Sequence, residues 1–149
     1  MAYSNAVSVY RETRITTAGQ GQLIIMLYDE AMKNLDKGLG LMKLNNTSKK
    51  KDPARIEQIS AHILKAQEII TELMASLDFE EGGEIAKNLL ALYSWFNQEL
   101  LGGNVEKNSQ RIAAVRDMIS DLRGAWADII TRGAADIVDR PRNGLNIAG

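Results

Sequence analysis

A chain of 149 residues with 18 basic and 19 acidic side chains, a net charge of −1 at pH 7 and no cysteine is long enough to bury roughly 68–70% of its unfolded surface around one core. The charge balance provides no basic field for a phosphate backbone, which sets nucleic-acid binding aside, and the missing thiols exclude disulfides, cysteine nucleophiles and cysteine metal ligands. No apolar run approaches about 18 residues and the opening MAYSNAVSVY lacks the parts of a secretory signal, so the expectation is a cytosolic protein without membrane insertion.

Regular structure is expected to begin at residues 22–44, where Ile24, Leu27, Tyr28, Ala31, Leu35, Leu39 and Met42 recur at helical spacing on one core face. The polar stretch NNTSKKKDP (45–53) breaks the pattern and ends in Asp52-Pro53, an N-cap followed by a residue suited to the first helical position. Ile56, Ile59, Ile63, Ala66, Ile70, Leu73 and Leu77 then alternate steps of three and four, the narrow stripe of bundle packing. In LDFEEGGE the pair Gly82-Gly83 interrupts again, with acids near a coming helix N-terminus. Ile85, Leu89, Leu92, Tyr93, Phe96 and Leu100 carry the third stripe, which Gly102-Gly103 with Asn104 is expected to end. The fourth runs through Ile112, Val115, Ile119, Leu122, Trp126 and Ile129 to Arg132, after which RGAADIVDRPRNGLNIAG loses its period. Four such segments joined by short loops predict an all-α, antiparallel up-and-down four-helix bundle over residues 22–132, between an N-terminal arm (1–21) and a flexible C-terminal tail (133–149).

Chemistry has little to work with. A carboxylate metal site in a bundle needs Glu-x-x-His on two helices, whereas His62, the only histidine, has Ile59 where the glutamate would be. No serine sits in a nucleophile turn, and Gly82-Gly83 lacks the rest of a phosphate-cradling loop. The expectation is a protein without catalysis, metal or cofactor. AHILKA (61–66) resembles the His-x-Leu-Lys-Gly element of histidine phosphotransfer domains, in which His62 would hold the phosphoryl group and Lys65 offset its charge. Ala66, however, replaces their glycine and belongs to the core stripe.

More informative is a surplus of apolar residues. At about 100° per residue, Leu23-Ile24-Ile25-Met26-Leu27 sends side chains in every direction, with Met26 nearly opposite the core face and Leu23 and Ile25 to either side. Leu90, Trp95 and Leu101 fall about 100–120° off the third stripe by the same step. Surplus of this kind marks a surface for another chain, so Ile25, Met26, Leu90, Trp95 and Leu101 are the groove candidates. A weak homodimer, formed by a plain self-associating bundle, is the competing use of those faces.

Three separated motifs tie the chain to a known family. TTAGQGQLIIMLYDEA (16–31) matches Thr-Ala-Ser-Pro-x-x-Leu-Ile-x-Met-Leu-Tyr-Asp-Gly. ELMASLDFEEGGEIAKNLLALYSWF (72–96) matches Leu-x-x-x-Leu-Asp-x-x-x-Gly-Gly-Glu-Ile-Ala-x-Asn-Leu-x-x-Leu-Tyr-x-Tyr-Met, and Leu122-Arg123-x-x-Trp126 closes the set. The chain thus resembles the FliS family of flagellar secretion chaperones from its arm to Trp126, departing at Gly19-Gln20, Glu30 and Trp95-Phe96. The resemblance implies a cytosolic escort that holds the C-terminal region of flagellin, disordered when free, along apolar grooves until export. It also implies docking of the loaded chaperone on the cytoplasmic domain of the FlhA export gate, with Val7 and Tyr10 matching the arm positions that serve this, and for some members an anti-sigma factor as a further partner.

Overall fold

A computed structural model of the chain describes residues 19–139, with side chains described over 21–132; Val7 and Tyr10 lie outside these residues. Four helices follow in chain order: α1 (Gly19–Thr47), α2 (Pro53–Ala75), α3 (Phe79–Glu106) and α4 (Ser109–Asp139). No strand occurs among the described residues. The principal contacts join α1 to α2 and α4, and α3 to α2 and α4, the cyclic order of an up-and-down four-helix bundle.

The loop chemistry follows the local sequence. Ala54 N–H donates to the Asp52 side chain at 3.0 Å and Pro53 opens α2, while Asp52 N–H donates to Asn45 Oδ1 at 3.1 Å and ties the loop back to α1. At the next junction the Asp78 side chain accepts from the N–H groups of Glu80 and Glu81 at 3.0 and 3.1 Å, and those two acids favour the helix N-terminus they occupy.

Neither glycine pair marks a helix boundary. α3 begins before Gly82-Gly83, and the pair forms a kink inside it, with Gly83 at φ 52°, ψ −123°, a conformation that a Cβ would oppose. Gly102-Gly103 does not end α3, which runs on to Glu106. There the bare backbone admits α4: a Cβ on Gly103 would come within 2.9 Å of Ile112 Cγ1, and one on Gly102 would strike the Arg111 guanidinium. The left-handed residue that closes the helix is Lys107, at φ 53°. Its ammonium donates to Asn104 O and Oδ1 at 2.7 and 2.6 Å and to Ser60 Oγ at 3.1 Å, contacts that hold a non-glycine residue in this conformation.

The core contains Tyr28, Leu35, Ile63, Ile70, Phe96, Leu100, Ile112 and Val115, all fully buried. On α1 the surplus residues Leu23 and Ile25 are also buried, at 3% and 7% exposure, because this helix packs against two neighbours and covers a wider arc than one core face requires. α1 and α4 are tied at two points one heptad apart. Arg123 Nε donates to Asp29 Oδ1 and Arg116 Nε to Asp36 Oδ1, each at 2.9 Å, and both pairs are two-pronged. The last helix remains regular to Asp139, past the point where the apolar period fades.

Candidate functional site

Residues distant in the chain meet at the end of the bundle where α1 and α3 begin and α2 and α4 finish. A cleft of about 220 Å³ opens there, its apolar lining supplied by Ile24 of α1, Leu77 after α2, Ile85, Leu89 and Tyr93 of α3, and Trp126 of α4. The kink at Gly82-Gly83 shapes one wall, and Asp78 and Glu81 place carboxylates on its margin. Each of the three sequence motifs contributes to this place. Beneath the cleft the Tyr28 and Tyr93 hydroxyls share a buried hydrogen bond of 2.6 Å. Burial pushes both phenols up from their ordinary value; at Tyr28 the hydrogen bond with Tyr93 opposes that rise, and more weakly the nearby Trp126. The site therefore holds these tyrosines neutral, as hydrogen-bonding and packing groups.

From the cleft, α3 carries exposed apolar side chains along its length. Ile85 is 69% exposed, Trp95 39% and Leu101 56%, with Phe79 and Val105 exposed near its ends. Across the α2–α3 seam Ser60 Oγ donates to Asn104 Oδ1, and Gln67 Nε2 to the Asn97 carbonyl, each at 3.2 Å. The helical steps place exposed Leu64 and Leu101 between these two contacts. The same seam leaves Gln67 Oε1 and Asn97 Oδ1 without a donor.

The five groove candidates are not gathered on one face. Ile25 is buried, and Met26 and Leu90 are half-buried. Leu90 and Leu101 share the α2-facing side of α3, whereas Trp95 lies about 120° around the helix from Leu101, in line with Gly102 and hence with Arg111 of α4. Arg111 forms a two-pronged ion pair with Glu99 at 2.9 and 3.1 Å and a second pair with Glu106. Hydrogen bonding from Arg111 holds the Glu99 carboxyl below its ordinary value. Periodicity does not reveal the cleft, because Ile24, Leu77, Leu89 and Trp126 all fit core stripes, and Leu77 lies just past the C-cap Ser76 of α2. The grouping of Leu77, Gly82, Ile85 and Tyr93 within one motif was the available signal.

His62 belongs to the α1–α2 contact. Asn34 Nδ2 donates to the Glu30 carbonyl, which turns Oδ1 toward the ring to accept from His62 Nδ1–H at 3.2 Å. Burial, then the charges of Lys37 and Lys65, lower the imidazole pKa. A depressed value means that the unfolded chain takes up a proton more readily, so stability is lost as pH falls through the usual 6.5. Urea midpoints measured at about pH 7.5 and pH 5.5 are expected to fall with acidification in the parent and to fall less in His62→Gln.

Among the described residues no group of three or more His, Cys, Asp or Glu is placed to hold a metal, and no helix is long and apolar enough to cross a membrane. Architecture and surface define a helical bundle built around one exposed apolar helix, a class suited to covering part of another chain. Residues 3–133 match the profile of the flagellar protein FliS family. Over 130 residues the chain is 27% identical to the flagellar secretion chaperone FliS of Bacillus subtilis, covering 87% of this chain and 90% of that protein. With the chaperone of the same name from Salmonella typhimurium the identity is 34% over 119 residues, 79% and 82% of the two chains, and with that from Escherichia coli it is 30% over 118 residues, 78% and 80%. The chain belongs to the FliS family and is a flagellar secretion chaperone.

Proposed function

We propose that this protein is a cytosolic chaperone of type III flagellar export that holds the C-terminal segment of flagellin, prevents its premature polymerisation and delivers it to the cytoplasmic domain of the FlhA gate. The supporting observation is helix α3, with a cleft at its start and exposed apolar residues along its length. A segment that orders on binding loses conformational entropy, and many apolar contacts along an extended path offset that loss. Cargo lies in the cleft and along both flanks of α3, with Leu90 and Leu101 on one side and Trp95 on the other, and half-buried Met26 is the α1 contact; Ile25, enclosed between neighbouring helices, is a packing residue and not part of the groove. Val7 and Tyr10 of the arm serve gate docking.

Titration with a peptide of the last forty or so residues of the host flagellin tests this reading. One-to-one binding with a gain of helix and a negative heat-capacity change is expected; a folded chaperone that fails to bind would overturn it. The phosphotransfer reading of His62 gains no support, since the family match covers both His62 and Lys65 and Ala66 is fully buried where a response regulator would need to approach.

A further inference from the structure

The bundle is charged oppositely at its two ends. Asp78 and Glu81 border the cleft, with Glu80 in the same first turn of α3 and Glu84 next to it paired with Lys87, while the far end carries exposed Lys43, Lys49, Lys50 and Lys51. None of these four lysines has a carboxylate partner among the described residues. Of the acids at this end, Asp52 caps α2, Glu106 pairs with Arg111, and Glu57 is exposed on the second turn of α2, so basic groups outnumber acidic ones there. Exposed Leu44, Ile56 and Val105 stand at the same end, where a hollow of about 130 Å³ is floored by Met42 and Ile59 and bordered by Lys51 and Lys107.

We propose that this basic and apolar tip is a docking face for the anionic surface of a lipid bilayer. Charge complementarity supplies the attraction, because clustered lysines are drawn to anionic headgroups within a Debye length. Exposed Leu44, Ile56 and Val105 suit the boundary between headgroups and acyl chains. Lysines dominate the cluster, and their ammonium groups act as point charges that fit a laterally mobile headgroup layer; half-buried Arg55 stands beside them without a carboxylate partner among the described residues, whereas the guanidiniums of Arg111, Arg116 and Arg123 are occupied by carboxylates within the bundle. Docked in this way, the chaperone turns its acidic, cleft-bearing end away from the membrane. The proposal goes beyond cargo binding and does not depend on which segment occupies the cleft.

Co-sedimentation of the full chain with phosphatidylcholine vesicles, with and without phosphatidylglycerol, tests it. Binding is expected only to the anionic vesicles, weakening as salt rises, and Lys49→Gln, Lys50→Gln and Lys51→Gln together should reduce it about hundredfold at low salt. The same three-charge loss at Lys33, Lys37 and Lys65 should leave binding within about twofold. Failure to bind anionic vesicles, equal binding to neutral ones, or an unaffected loop variant would overturn the proposal. So would binding of a polyglutamate peptide by a chain that ignores vesicles, which would make the tip a face for an acidic protein.

Discussion

Aspartate at both Ile85 and Leu101 is expected to weaken binding of the flagellin peptide by at least about a hundredfold while leaving the bundle folded. Both side chains are more than half exposed in the free protein, so a carboxylate there remains hydrated and costs the isolated fold little. Once an apolar segment covers the site, that carboxylate must lose water without gaining a partner, a penalty of several kcal/mol. Calorimetric titration alongside thermal melts separates the two effects. A variant that melts like the parent and binds equally well would remove α3 from the cargo site. The single substitutions locate the occupied part: Ile85→Asp reports on the cleft, and Leu101→Asp on the seam with α2.

Truncation of Tyr93 should have the largest effect on stability. Tyr93→Ala removes a fully packed ring and its hydroxyl, leaves a cavity under the cleft, and is expected to cost about 3–5 kcal/mol in urea unfolding. Tyr93→Phe retains the ring but removes the oxygen with which the buried Tyr28 hydroxyl shares its 2.6 Å bond, and should cost about 1–3 kcal/mol. The paired replacement Tyr28→Phe with Tyr93→Phe should cost less than the sum of the singles, because it leaves neither hydroxyl without the other. Strict additivity would mean that the two phenols do not depend on each other.

The FliS-family bundle illustrates which features are local. The existence and core faces of all four helices were legible because buried positions recur at the period of the backbone itself, though their ends fall elsewhere, α2 stopping at Ala75 and α3 beginning at Phe79; Asp52-Pro53 marked a helix start because capping acts within a few residues. The family was legible because most positions of three separated motifs stand in the sequence, with departures confined to Gly19-Gln20, Glu30 and Trp95-Phe96. Glycine was ambiguous: a Gly pair can mean positive φ or close approach. Gly83 uses the first property and Gly103 the second, while Lys107 takes the left-handed position.

What tertiary structure decided is where each helix turns its faces. Angles measured from one core stripe placed Ile25 outside, but packing between α2 and α4 widened the buried arc of α1 and enclosed it. They also put Trp95 and Leu101 together as off-stripe residues, although the two point to opposite flanks of α3, toward α4 and α2 respectively. The cleft depends on Ile24, Leu77, Ile85 and Trp126 meeting at one end of the bundle, and the far tip on Lys51, Ile56 and Lys107 meeting at the other. Periodicity fixes which residues share a face within a helix; only the packing of helices against one another fixes which faces become a site.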